Sequence, residues 1–448
     1  MVQRKKLNRL ILPVAFAVRV FIFFLAAGGF FLVGEGMVQA NIAGNILSGR
    51  GCMLSESMMH DTDPRRDASL EFFREAGGFY GTLIPERPTS FFVPGYILFE
   101  AFIFSLFSPG NLTAVIGVQL LLGILTVFMG LRLASRFLTG WWYTACGFLM
   151  AVDPFELYYQ AIPVTQALFS FLFIAGLLMS VRLIEKPGWS RAILAGIVWS
   201  ASFMVRPASL PMILWLAVVL ILFTGRPEVR KILYSSLMVI VFFGLLTPWM
   251  LRNRNVMGRY QLLPLQGGVQ MWEYNGRIFT DAFLNDQQGA KVLYGPVRET
   301  WLNRLAKPEL AEFPQFTCET EFQRDSILYE RQSEFLMANP LLYLHLSCCR
   351  FAEFFKPFPL NSFSLLHTIP GFMSFFWVGI FFLAGIFLFL YRKGQGIFLS
   401  GVMAGYILMH LITASGTPHR VALDIPLFIA AMTGLRHFCL RAGLLRRK

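Results

Sequence analysis

A series of apolar runs, each close to the roughly 20 residues that a helix needs to cross a bilayer, constrains this chain more than any other feature. They fall at 10–33, 112–131, 166–184, 208–224, 232–250, 370–391, 397–414 and 421–440, with two shorter runs at 137–152 and 192–205. Of 448 residues, 56% are hydrophobic and only 15% charged. A soluble domain carries about 25% charged residues, so a soluble reading is excluded. The first 33 residues resemble a signal peptide, with Arg4, Lys5, Lys6 and Arg9 ahead of an apolar run. That run is too long for a signal core and no cleavage site follows it, so it reads as the first span.

The net charge of +13, from 39 Lys and Arg against 26 Asp and Glu, would suggest nucleic acid in a soluble protein. Here it reads as topology. Basic residues cluster at the N-terminus, at Arg132 and Arg136, at Arg182, Lys186 and Arg191, at Arg226, Arg230 and Lys231, at Arg392 and Lys393, and from Arg436 to Lys448. About ten spans with both termini in the cytoplasm place every cluster inside. The same parity makes 95–107 an interfacial helix and requires 137–152 and 192–205 to cross. Three regions follow: a transmembrane module over 1–250 with its first outer loop at 34–94, an outer segment over 251–369, and C-terminal helices with a basic tail over 370–448. Within the outer segment, apolar and charged residues alternate at helical spacing near 319–337, and 340–357 is an amphipathic return to the membrane.

Because the cytoplasmic loops are short, the chemistry is expected on the outer face. Glu35 stands at the outer end of the first span, either as a boundary carboxylate facing water or as a general base. Asp153 and Glu156 lie three apart in what reads as a short outer turn. They could orient a substrate or hold a metal, or Asp153 could cap a helix ahead of Pro154. Arg206, before Pro207, places a guanidinium at the outer mouth of the bundle, where it could bind phosphate or simply snorkel. Arg252, Arg254, His419 and Arg420 also sit against the charge gradient, which points to an anionic ligand outside.

Other signals are weaker. His60, Asp61 and Asp63 could ligate a divalent cation or form a solvated loop; no cofactor is otherwise indicated. Cys52 and Cys318 could pair, whereas Cys146, Cys348, Cys349 and Cys439 read as buried thiols. Asn111-Leu112-Thr113 matches a glycosylation sequon but abuts a span. No zinc spacing, P-loop, dinucleotide glycine pattern or nucleophile elbow is present.

Four segments resemble the GT-C superfamily of membrane glycosyltransferases, in the bacterial branch similar to protein mannosyltransferases and aminoarabinose transferases. They are NILSGRG in the first outer loop, PGY at 94–96, PW at 248–249 with RN at 252–253, and the final HRVALDIPLF. The resemblance implies an all-α polytopic membrane fold with interfacial helices in the first outer loop. It also implies inverting transfer of a hexosyl or pentosyl group from a polyprenyl-phosphate donor to a membrane-associated lipid, glycan or protein, at the outer face of the cytoplasmic (inner) membrane. Glu35 would be the base, with Asp153 or Glu156 as a second acid, and Arg206, Arg252, Arg254, His419 and Arg420 would hold the donor phosphate. Many relatives follow the base with another acid and a Tyr, where this chain has Gly36 and Gln39, and place an acid before the fourth span, where it has Thr165 and Gln166. The competing readings are a transporter or flippase of lipid-linked sugars, which needs charge deep within the spans, and a polysaccharide polymerase or ligase of another membrane fold.

Overall fold

The computed structural model describes residues 2–27, 34–55, 82–223, 227–272, 275, 316, 320–338, 340–355, 365–390, 394–413 and 417–442. Helices dominate the described residues: α1 (Val2–Ala27), α2 (Gly34–Leu47), α3 (Pro94–Leu106), α4 (Leu112–Ala134), α5 (Trp141–Val152), α6 (Pro154–Gln160), α7 (Thr165–Glu185), α8 (Trp189–Val205), α9 (Leu210–Phe223), α10 (Glu228–Met257), α11 (Gly267–Trp272), α12 (Glu321–Ala338), α13 (Pro340–Phe354), α14 (Leu365–Leu390), α15 (Gln395–Ile412) and α16 (Thr417–Arg441). Six of these segments, in α1, α4, α7, α10, α15 and α16, are long and apolar enough to cross a membrane by themselves. The segments expected near 319–337, at 340–357 and at 95–107 are helical, as α12, α13 and α3. The His60, Asp61 and Asp63 cluster and Cys318 lie outside the described residues.

A bundle in lipid is built inside out. α7 is apolar on almost every side and buries nearly its whole length, packing against α4, α8, α15 and α16. The peripheral helices instead turn large apolar side chains outward, with Phe24 71%, Ile240 67% and Phe387 64% exposed. In water such a surface would be a liability; against acyl chains it costs nothing.

One expectation is corrected. Asp153 and Glu156 do not stand in an outer turn, because α5 has only 12 residues. At 1.5 Å per residue it rises about 18 Å, well short of a hydrocarbon core about 30 Å thick. The chain breaks at Asp153-Pro154 inside the bundle, and α6 follows immediately. Asp153 caps it, its Oδ2 accepting from the Glu156 backbone N–H at 3.3 Å. Both carboxylates are buried, at 1% and 3% exposure.

Outside the bundle, α2 packs against α3. Asn45 Nδ2 donates to the Met53 carbonyl at 2.7 Å and to Ser55 Oγ at 2.9 Å, folding the NILSGRG segment back on α2. Asn111 is a helix cap, its side chain accepting from the Ala114 N–H at 3.0 Å, which employs the sequon asparagine in structure.

Candidate functional site

Pro207 decides where Arg206 goes. The residue before a proline is pushed out of the helical region, and Arg206 has φ −148° and ψ 125°, ending α8 at Val205. Its side chain runs to the start of α7, where Nε donates to Thr165 Oγ1 at 3.0 Å. Nη1 donates to the Pro418 carbonyl at 3.2 Å, which ties the mouth of the bundle to α16. The guanidinium carbon stands 5.8 Å from the centre of the Phe169 ring.

Glu35 occupies the first turn of α2, where unpaired backbone N–H groups favour a negative charge. It is half-buried. Burial pushes its carboxyl above the ordinary carboxylate range, and Arg206 opposes that shift. Gln39 Nε2, one turn on, contacts Glu35 Oε1 at 3.4 Å. Gly36 explains why no second acid follows: a Cβ there would sit 1.9 Å from the Pro163 carbonyl oxygen. This close approach seats α2 on the segment leading into Thr165 and Gln166. Thr165, which accepts from Arg206, and Gln166 are both neutral, and Arg206 is a cation within electrostatic reach of Glu35.

Two further polar residues, His419 and Tyr406, belong to this side. Both lie within electrostatic reach of Arg206. The His419 and His410 rings stand 4.6 Å apart, and the Tyr406 hydroxyl donates to the His419 carbonyl at 2.9 Å.

The remaining expected residues are held elsewhere. Arg252 Nη1 donates to the Thr89 carbonyl at 2.8 Å and to Ser90 Oγ at 3.2 Å, and Nη2 donates to the Cys52 carbonyl at 3.2 Å. Glu321, at the start of α12, completes this clasp by accepting from Thr89 Oγ1 at 2.6 Å and the Ser90 N–H at 3.0 Å. Arg254 is exposed and stacks over Tyr260, whose hydroxyl it also contacts. Arg420 is fully buried, pairing with Asp424 at 3.0 Å and donating to the Phe354 carbonyl at 3.1 Å. Neither Arg252 nor Arg420 shares a hydrogen-bond partner with Arg206.

Asp153 and Glu156 belong to a second group with Arg19, Arg420 and Asp424. Arg19 Nε donates to Gln160 Oε1 at 2.9 Å and Nη1 donates to the Ala151 carbonyl at 3.0 Å, while Gln160 Nε2 donates to Glu156 Oε2 at 2.8 Å. This network joins α1, α6 and α16 in the interior. Tyr406 borders both groups, within electrostatic reach of Arg206 and of Asp424.

The structure also adds residues that sequence reasoning passed over. Glu100 on α3 is fully buried and within electrostatic reach of Glu35. Tyr96, one turn before it, donates its hydroxyl proton to Gln119 Oε1 at 2.7 Å, and Gln119 Nε2 donates to the Ile162 carbonyl at 2.6 Å. The signal was present: one acid in thirteen otherwise uncharged, mostly apolar residues is expensive to bury without a task. Among the described residues, no group of three or more His, Cys, Asp or Glu is placed to hold a metal ion.

Solved structures share this architecture. The oligosaccharyltransferase AglB from Archaeoglobus fulgidus, in complex with an inhibitory peptide and a dolichol-phosphate, superposes with a TM-score of 0.55 at 12% identity, over 100% of this chain and 52% of that one. The apo form of the Archaeoglobus fulgidus oligosaccharyltransferase gives 0.56 at 12% identity, over 99% and 52%. ArnT from Cupriavidus metallidurans, bound to undecaprenyl phosphate, covers 96% and 78% at 12% identity, with a TM-score of 0.42 too low to carry weight. The chain spans about half the length of the archaeal structures. No protein-family model and no curated protein matches the sequence. The shared property is the fold, an all-α polytopic membrane bundle.

Proposed function

We propose that this protein is an inverting glycosyltransferase that moves a hexosyl or pentosyl group from a polyprenyl-phosphate donor to a membrane-associated acceptor at the outer face of the cytoplasmic membrane. The observation that supports the reading is the placement of Glu35 on α2 within electrostatic reach of Arg206 at the α7–α8 mouth, on a bundle that shares its fold with a dolichol-phosphate-bound oligosaccharyltransferase. A base and a phosphate-binding cation within reach of each other are what a single displacement requires.

In that displacement Glu35 takes the proton of the acceptor nucleophile, and the acceptor attacks the anomeric carbon from the face opposite the phosphate. The anomeric C–O bond breaks, and its electron pair leaves on the polyprenyl phosphate. Arg206 stabilises that charge as it develops, most effectively because the guanidinium is already held by Thr165 and Pro418 before the reaction begins. His419 and Tyr406 border the same phosphate position. One displacement inverts the anomeric configuration and needs no covalent sugar intermediate. Arg252 acts from a distance by fixing Thr89 and Ser90 ahead of α3, and Arg254 and Arg420 stand outside the phosphate position. Asp153 and Glu156 hold the interior on which α16, and with it His419, is mounted.

A second reading, a flippase of lipid-linked sugars, draws support from the buried charges on α1, α6 and α16, which exceed what the spans were expected to contain. Reconstituted vesicles separate the two. A transferase releases undecaprenyl phosphate from undecaprenyl-phosphate sugars in the presence of a membrane lipid and glycan extract, and Glu35→Gln abolishes that release. A flippase equilibrates a labelled undecaprenyl lipid between leaflets and does so equally well in the same variant.

A further inference from the structure

Glu100 has no visible reason to be charged. It is 0% exposed, neither carboxyl oxygen meets a partner at good hydrogen-bond geometry, and the hydroxyl beside it is that of Tyr96. α3 packs against α2, α4 and α8, and their titratable groups can be counted from the sequence. α2 carries only Glu35. α4 carries only Arg132, in its last turn, and α8 carries Arg191 near its start with Arg206 just past its end. On α3 itself there is only Tyr96, whose proton is directed to Gln119. Arg132 and Arg191 belong to the opposite end of the bundle, so among the described residues of these helices and their ends Arg206 is the one cation near Glu35, and it acts on Glu35.

Gly95 shows how tightly this wall is built, since a Cβ there would sit 2.5 Å from the Met204 carbonyl oxygen. α3 cannot move away to let water reach Glu100 without parting from the segment that positions Arg206. Two carboxyl groups within electrostatic reach of each other in such a wall, only one of them with a guanidinium beside it, hold one negative charge between them, not two. The ionised member is Glu35, which has Arg206 and a helix N-terminus. We propose that Glu100 is the proton-bearing partner of Glu35, a positioning residue whose neutrality keeps the cation of Arg206 available to a lipid phosphate. Ionisation of Glu100 would leave two negative charges against one positive and repel the phosphate. The effect on phosphate binding deepens the reading of this site as a donor-phosphate site; the sharing of a proton does not depend on which residue is the base.

The test uses the full-length protein in phosphatidylcholine nanodiscs. Infrared difference spectra of wild type minus Glu100→Gln are expected to show a protonated-carboxyl C=O band at neutral pH, and its titration midpoint is expected to move to lower pH in Glu35→Gln, where the like charge is gone. Undecaprenyl phosphate is the ligand probe. Wild-type affinity is expected to fall about tenfold as pH rises through that midpoint, the scale of one added like charge at close range. Glu100→Gln, and Glu100→Leu as a second variant should the first fold poorly, are expected to lose that fall. Ionisation of the phosphate and of His410, His419 and Tyr406 is common to all the proteins and cancels. No carboxyl band, a midpoint unmoved by Glu35→Gln, or the same alkaline loss in both Glu100 variants overturns the proposal. Abolished transfer in Glu35→Gln with an unmoved midpoint removes the pair and leaves the base; undiminished transfer with a shifted midpoint removes the base and leaves the pair.

Discussion

Arg206 Nε donates to Thr165 Oγ1 at 3.0 Å, so the guanidinium within electrostatic reach of Glu35 is fixed by the first residue of a deeply buried helix. Arg206→Lys retains the charge but cannot reproduce a planar fork held at Thr165 and Pro418. Undecaprenyl phosphate is expected to bind this variant about tenfold more weakly, and Arg206→Ala about a hundredfold, as for loss of a charge-assisted hydrogen bond of about 1.5–3 kcal/mol. Isothermal titration in nanodiscs measures both. Equal affinity in all three proteins would remove Arg206 from the phosphate site.

Gly36 makes a steric prediction. A Cβ placed 1.9 Å from the Pro163 carbonyl oxygen cannot be accommodated by rotating a side chain, because the obstacle is backbone. Gly36→Ala therefore pushes α2 off the segment before Thr165 and carries Glu35 out of register with Arg206. Transfer is expected to fall at least about a hundredfold, the scale of a 1 Å misplacement of a reacting group. The thermal midpoint should fall only modestly. A variant as active as wild type would mean that α2 does not position the base.

The interior network gives a stability prediction with an internal control. Asp424→Leu removes the carboxylate that pairs with the fully buried Arg420 and is expected to cost about 3–5 kcal/mol. Replacing both, as Arg420→Met with Asp424→Leu, should recover much of that loss because no lone charge is left in the core. Unfolding in denaturing detergent, followed by circular dichroism, reads both. No recovery in the double variant would point to a role beyond mutual neutralisation.

The clasp at Glu321 predicts a pH dependence. Burial pushes its carboxyl up to about 6, against the opposing pull of Thr89, Ser90 and Arg252. The folded protein therefore binds this proton more tightly than the unfolded chain does. The resulting stabilisation, about 2 kcal/mol for a shift of this size, is fully present below the ordinary carboxylate pKa near 4.5 and is lost as pH rises through about 6. Glu321→Gln should flatten unfolding midpoints over that window. An unchanged slope would place the titration elsewhere.

Much of this was legible in the chain. Apolar runs located six helices long and apolar enough to cross a membrane, and Pro207 after Arg206 announced a helix end with a guanidinium at its mouth. Asp153 before Pro154 announced the helix cap that the structure shows, but its deep burial was not legible from the chain. Arg252 and Arg420 misled for a related reason. Sequence gives an arginine's position along the chain but not its partners, and these are met by carbonyl oxygens at 52, 89 and 354 or by Asp424 one turn away. Glu100 was overlooked because its significance comes from facing Glu35 across α2 and α3, a contact between residues 65 positions apart.

The central claim is that Glu35 removes the acceptor's proton, and its most direct measurement is release of undecaprenyl phosphate by the purified protein in nanodiscs. A panel of undecaprenyl-phosphate-linked sugars serves as donor and a membrane lipid and glycan extract as acceptor. Glu35→Gln preserves size and hydrogen bonding and removes only the base. The account predicts that release falls by about a thousandfold or more, the scale of a lost general base, while undecaprenyl phosphate still binds within about threefold of wild type, a difference under 1 kcal/mol. Release at the wild-type rate from Glu35→Gln would contradict it.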